Sequence, residues 1–468
     1  MLQATTKDKI SLAFCLLGQF LNCIAISIPS PFLPREVELH GLGSLTTGVM
    51  LGVVPFLQCF FNFMWNKIAA TIGMRNVLKT GTMITGVMTT LFAFIQFIPY
   101  DSTLLFAVAG FGVRLLLAVG TSAVFTATLA LATTIFPEQS VWVLSLIGAV
   151  GGVGMVCGPA VGSGLFMAGG FWLVFVACGG AIILVSIATC IWFPKQNNVA
   201  ECLPVDAAAD VAADVKANVK ADVAADVAAG GPADVTCEPS TSKLPVPYKR
   251  IVLDLRTLVG LSVGLFSSSC WVSIDPILEP ELRNGYNLTE DRTALVFLLV
   301  SGLFIISAPI AGKLVGKSYC LDSLLLILIG LGISATSFLF IGPCPLFGIH
   351  KLQLWTILVC LSILGLTNCL LFVPAQNLVF NIEKLNLPDS ADETLVRGFL
   401  SACWNTAYAF GTGLGMIYSG AVAKYTGWAW TMTSYAGGCV LLILIVLIVK
   451  IREVILLRKT SYIMNTQM

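Results

Sequence analysis

Few residues in this chain have both the chemistry and the surroundings to act on a solute. Arg114 interrupts an apolar stretch and is followed by Leu115-Leu116-Leu117-Ala118-Val119-Gly120. Asp275 stands in Ser273-Ile274-Asp275-Pro276-Ile277-Leu278-Glu279-Pro280. Charged groups at the bilayer centre are costly, so those that occur usually face a water-filled cavity and act there. Asp275 and Glu279 are four apart and share a helical face, and Pro276 frees carbonyls and breaks the helix beside them. Plainer roles compete: an inter-helix ion pair for Arg114, and a helix-end carboxylate among headgroups for Asp275. For Glu279 and Glu281 that plainer role is the stronger reading, although Glu279 also offers a second acid for a solute carrying several charges. Asn22 and Asn405, and with them Gln19, Gln58, Asn368 and Gln376, lie in apolar runs. Such amides bond a ligand or, more commonly, one another across helices.

The elements that position these groups are membrane helices. The chain is 57% apolar and 11% charged, against roughly 25% charged in soluble domains, with a mean hydropathy of +0.91. Runs long enough to span hydrocarbon as helix fall near 10–33, 45–65, 77–98, 103–135, 139–165, 170–193, 254–278, 293–311, 321–341, 352–380, 398–423 and 428–449. The first keeps Pro29, Pro31 and Pro34 and has no small-residue cleavage site, so it reads as a retained helix. Net charge is +1, which points to no nucleic-acid or other bulk charged partner.

These helices repeat. Gly154, Gly158 and Gly170 are answered by Gly411, Gly415 and Gly427, and Ser27-Ile28 and Pro34 by Ser273-Ile274 and Pro280. Two related hydrophobic halves are the mark of a transporter that rocks one half against the other. Glycines every fourth position let helices approach closely; Pro159 and Gly162, beside Gly158, bend helix five where a gating contact is expected. The halves fall at 1–194 and 251–451, followed by a tail, 452–468. Between them, 195–250 carries a four-residue Asp/Val repeat ending in Gly230-Gly231-Pro232, the composition of a solvated linker.

Of the 26 Lys and Arg, the great majority lie on one side if both termini are cytoplasmic; Arg35, Arg283, Arg292, Lys351 and Lys424 fall on the other, and Arg114 inside. The sequon Asn287-Leu288-Thr289 falls on the outer side, where glycan is added. The fifteen cysteines contain no CxxC and read as packing residues. His40 and His350 fall in separate outer loops, read as solvated, which leaves no metal site. No catalytic constellation and no cofactor motif is present, so the chain does not read as an enzyme.

The residues carry a resemblance to the major facilitator superfamily over nearly the whole length outside the linker. Gly154-x3-Gly158-Pro159-x2-Gly162-Ser163 resembles the helix-five motif of its antiporters, with Ser163 for a second glycine. Arg114 to Gly120 resembles the helix-four arginine motif linked to proton coupling, with Leu117 where glutamine is usual. Asn66-Lys67-Ile68-Ala69-Ala70-Thr71-Ile72-Gly73-Met74-Arg75 resembles the gating loop, with Ala70 for its aspartate. Pro31-Phe32-Leu33-Pro34, Asp275-Pro276-Ile277-Leu278 and Ala421-Val422-Ala423-Lys424 are similar to vesicular amine transporters, in particular the polyamine-transporter-like subgroup.

That resemblance implies an all-α membrane protein of twelve transmembrane helices in two pseudo-symmetric six-helix halves, in a vesicle or plasma membrane. It also implies proton-coupled export of an organic amine. Asn22 and Asn405 stand where monoamine-carrying members have acids, so monoamine transport does not carry over; Asp275 is the acid that remains. A facilitative carrier, an organic-anion carrier drawn by Arg114, and a non-transporting scaffold are the alternatives.

Overall fold

A computed structural model describes residues 5–136, 140–193, 253–315, 322–345, 348, 352–381 and 393–466. The 195–250 linker and His350 lie outside these. Twelve α-helices follow one another, with no strand among the described residues. In the first half they are α1 (Thr6–Ser27), α2 (Leu33–Leu39), α3 (Ser44–Ile72), α4 (Met74–Phe92), α5 (Thr103–Ile135) and α6 (Ser140–Trp192). In the second they are α7 (Leu255–Val272), α8 (Leu278–Tyr286), α9 (Glu290–Val315), α10 (Ser323–Ile341), α11 (Leu354–Phe380) and α12 (Glu393–Thr466).

The sequence dictates where these helices start and stop. Thr5 and Asp8 cap α1 reciprocally, and the Asp254 side chain accepts from the backbone N–H groups of Arg256 and Thr257 at the head of α7, satisfying donors a helix start leaves open. α1 stops where Ile28-Pro29-Ser30-Pro31-Phe32 removes two N–H groups, and Pro34 opens α2. α7 stops at the matching place, so the expected seventh span, 254–278, ends as helix at Val272. Its turn, Ser273 to Ile277, holds Asp275 and Pro276 beyond the span.

Of the nine long apolar helical stretches among the described residues, Leu146–Trp192 and Ala402–Glu453 are each long enough for two crossings. They break at Gly170 (φ 75°) and Gly427 (φ 83°), the pair matched in the sequence repeat. At such φ a side chain is strained, and glycine lets the chain turn back. A shorter apolar helix, Arg292–Phe304, also falls in a predicted span.

The repeated glycines pack each half internally. A Cβ on Gly158 would meet Ser27 Oγ of α1 at 2.0 Å, and one on Gly415 would meet Ser269 Oγ of α7 at 2.7 Å. The α6 backbone stays helical through Pro159, and Gly154 and Gly162 also lie against α1, near Phe20 and Phe32. These glycines thus face the first half, while α6 itself also packs against α9 of the second half.

The halves also meet along α3 and α12. A Cβ on Gly48 or Gly52 of α3 would strike the Met416 or Gly413 carbonyl oxygen of α12 at 2.4 and 2.5 Å. This seam runs from Ser44, whose Oγ donates to the Gly420 carbonyl at 3.0 Å, to Cys59, whose thiol reaches the Thr406 carbonyl. One turn further, Phe60, Phe63 and Met64 are exposed. At the end carrying α2 and α8, one apolar cluster takes Ile28, Phe32 and Leu33 from the first half with Val272, Ala294 and Met416 from the second. The bundle is sealed at that end.

Gly48→Ala tests the seal. Its methyl has only backbone to displace, a strain of about 1–3 kcal/mol. That strain acts only while the halves touch, so the variant is expected to label faster at a cysteine introduced at Ala294, buried in the sealing cluster, while expressing normally. Gly158→Ala, clashing inside one half, is expected to lower expression and thermal stability instead.

Candidate functional site

Asp275 lies at the seal. Its Oδ2 accepts a hydrogen bond from Ser30 Oγ at 3.0 Å, so an acid from the second half is held by a hydroxyl from the first. Burial among the turn residues pushes its carboxyl up to about 7, the Ser30 hydroxyl opposing. Next to it, Glu279 is 0% exposed, buried rather than among headgroups as its sequence position suggested. Its Oε1 accepts from Arg283 Nε at 2.8 Å while Oε2 has no partner. Arg283 also donates to Glu38 of α2. Burial raises the Glu279 carboxyl against the pull of Arg283. Burial works against the Arg283 charge, but Glu279 and Glu38 more than offset it and hold the guanidinium above its ordinary range.

The two bonds that join α1–α2 to α7–α8 have one geometry. Ser30 and Asp275 are 245 residues apart, and so are Glu38 and Arg283. The repeat register is 246 residues, so each bond joins positions one residue off equivalence. Near-equivalent residues of two repeats meet only close to the axis that relates them. The polar closure therefore straddles the pseudo-two-fold, where a rocking motion has to part it. Beside it opens a cleft of about 690 Å³ lined by Arg35, Glu38, Phe166, Arg283 and Thr289.

The other sequence candidates are placed differently. Arg114 of α5 is 1% exposed and lies in the first half. Its Nε donates to the Met50 carbonyl at 2.9 Å, Nη2 reaches that of Leu51 at 3.4 Å, and the guanidinium lies 5.5 Å from the Phe92 ring centroid. Among the described residues no carboxylate pairs with it, so the ion pair allowed by the sequence is replaced by carbonyls and a ring. Pro55 explains the second of these: it has no N–H to return to the Leu51 carbonyl, four residues back.

Asn22 also faces the interior of the first half, its Nδ2 reaching the Thr121 carbonyl at 3.4 Å while Oδ1 has no partner. Asn405 is half-buried in α12. Gln19 is buried with an unpartnered Oε1. Asn287 ends α8, exposed and left-handed (φ 54°), a conformation asparagine tolerates, at the same end as the seal.

Sequence reasoning missed Ser30, Glu38 and Arg283. Only the common spacing of 245 would have pointed to them. It also missed a row of rings in the second half: Trp271 lies 4.9 Å from Phe304, and Phe372 lies 5.3 and 5.4 Å from Trp404 and Tyr408.

The family model described as Major Facilitator Superfamily matches residues 15–382 and 260–459. The chain belongs to the Major Facilitator Superfamily. Within that superfamily it is similar to the MFS-type transporter SLC18B1 of Mus musculus, 24% identical over 430 residues, covering 91% of this chain and 83% of the relative. It is likewise similar to SLC18B1 of Homo sapiens, 25% identical over 396 residues and covering 84% and 76%. A shorter likeness, 27% over 201 residues (42% of this chain, 47% of the relative), is to the multi-drug resistance efflux pump PmrA of Streptococcus pneumoniae serotype 4. Among solved structures, the bacterial homologue of the human lysosomal transporter Spinster, inward-facing and unoccupied, superposes with a TM-score of 0.65. That match has 13% identity and covers 95% of this chain and 96% of the other. The major facilitator fold is thus common to both, and the chain is a multi-pass membrane transporter of small solutes.

The polar closure gives a test. Glu38→Lys sets like charges against each other at the seal and is expected to speed labelling of a cysteine at Ala294 severalfold. The partly exposed pair is itself worth up to ~1 kcal/mol. Equal labelling in wild type and Glu38→Lys would show that the pair does not hold the seal.

Proposed function

We propose that this transporter exchanges protons for a small organic cation, an amine or polyamine, by alternating access, with Asp275 as the group for which proton and substrate compete. The observation that carries the reading is the Asp275–Ser30 bond between the halves. Whatever changes the charge or partner of Asp275 acts directly on the contact that has to break when that end opens. A carboxyl near 7 exchanges its proton between an acidic compartment and the cytosol. Protonated, it releases an ammonium; ionised, it attracts one.

Glu279, with one unpartnered oxygen, is a second acid for a substrate with more than one charge. The rings Trp271, Phe304, Phe372, Trp404 and Tyr408 suit an organic cation, whose charge is attracted to aromatic faces. The vesicular amine-transporter resemblance supports the same class, and the similarity to SLC18B1 supports an MFS-type transporter. In this reading the termini and the 195–250 linker are cytoplasmic, and the α2/α8 end, with Asn287 available for glycan, faces the lumen or exterior.

The test is substrate-dependent proton flux in proteoliposomes with an acidic interior, adding spermidine, serotonin and an organic anion in turn. Amine-dependent loss of the gradient supports the proposal. Accumulation of the anion, with no amine moving protons, would assign the fold to a facilitative or anion carrier.

A further inference from the structure

His40 was expected in a solvated loop, yet it caps α2 with 1% exposure. Both of its ring nitrogens face backbone carbonyls: Nδ1 is 2.8 Å from the Glu36 oxygen and Nε2 is 3.2 Å from that of Ile98. Carbonyl oxygens only accept. A neutral imidazole has a single N–H, so one of these contacts would set lone pair against lone pair; an imidazolium donates to both. Two aromatic rings flank the imidazole. The ring stacks on Phe106 at 3.8 Å between centroids and meets Tyr100 edge-on at 5.1 Å, and aromatic faces attract positive charge. Thr103 Oγ1 donates to the carbonyl of His40 itself at 3.0 Å, so the residue is pinned from three sides.

The charged and titratable groups around it come from several elements. α2 itself carries Arg35, Glu36 and Glu38. The loop before α5 carries Tyr100 and the exposed Asp101. Across the seal, α8 brings Glu279 and Arg283. Glu36 responds most directly: its Oε2 is buried without a partner. Burial raises the Glu36 carboxyl, and the charge of His40, then that of Arg35, pulls it back. The first turn of α5 adds only neutral Thr103 and Phe106.

We propose that His40 is a proton-binding site that clamps α2 to the loop at 98–103, closed when the imidazole carries two protons and loosened when it carries one. Proton binding supplies the second N–H donor, so the clamp holds both bonds only when the imidazole is doubly protonated. It loses one bond on the alkaline side. Because α2 also carries Glu38, which pairs with Arg283, acid at this face steadies one wall of the seal. This inference stands on the local geometry alone and does not depend on which solute is carried.

The experiment is hydrogen–deuterium exchange with mass spectrometry on the full chain in nanodiscs, at acid and mildly alkaline pH, corrected for intrinsic rates. Amides of Val37–Leu42 and of 98–103 are expected to exchange about fivefold more slowly in acid, the factor that one net hydrogen bond carries. The difference should vanish in His40→Gln. Exchange at the imidazole carbon C2, read in the same wild-type samples, needs no variant and should report a proton taken up at His40 between these two pH values. A pH difference that persists in His40→Gln, or a His40 ring that stays neutral throughout, would overturn the proposal.

Discussion

Asp275→Asn is expected to reduce amine-dependent proton flux to the level of empty liposomes while the protein still folds and inserts. Asparagine keeps an Oδ1 that accepts from Ser30, so the bond between the halves survives; what it loses is the exchangeable proton and the negative charge. The effect of pH provides the sign. A carboxyl whose folded value, about 7, lies above its ordinary 3.8 favours the fold while protonated and strains it once ionised. Its contribution is complete below the ordinary value and is lost as pH rises through about 7. Asp275→Asn should therefore gain thermal stability over wild type as pH rises through that range and gain none at low pH. Full proton-coupled flux in the variant would remove Asp275 from the mechanism. A collapse of folding at all pH values would show that the carboxylate itself is structural.

Arg114→Met is expected to destabilise the first half by about 1–3 kcal/mol, the cost of a buried carbonyl left without a donor. Adding Pro55→Ala should return much of that loss. Alanine restores an N–H that can bond back to Leu51, the carbonyl Arg114 now serves. The two substitutions should therefore be strongly non-additive in thermal unfolding, as groups sharing one partner are. Additive losses would show that Arg114 stabilises through some other contact. Arg114→Ala is still expected to abolish coupling, although the structure assigns the arginine a packing role as well.

Much of this molecule was legible in the chain. Apolar runs of spanning length place the helices, because a backbone in hydrocarbon has to satisfy its own hydrogen bonds. The proline clusters at Pro29–Pro31 and Pro276 mark where α1 and α7 end, since proline has no N–H to give. The paired Gly170 and Gly427 announced a duplicated turn, and both are left-handed kinks. The site was read less well. Asp275 stood out because an acid in an apolar run is costly, but Ser30, Glu38 and Arg283 are unremarkable residues near helix ends. His40 read as solvated because periodicity reports which segment a residue belongs to, not what covers it.

By itself the sequence determined the membrane class, the two-fold repeat, the helix breaks and the one acid retained in helix seven, because all of these follow from local hydropathy and backbone chemistry. Only the tertiary structure decided which residues face each other. It set Asp275 against Ser30 and Glu38 against Arg283, turned Arg114 onto the carbonyls of Met50 and Leu51, and placed both nitrogens of His40 on acceptors. Such contacts join residues far apart along the chain. Their partners are fixed by how two rigid halves pack about an axis, which no local pattern records.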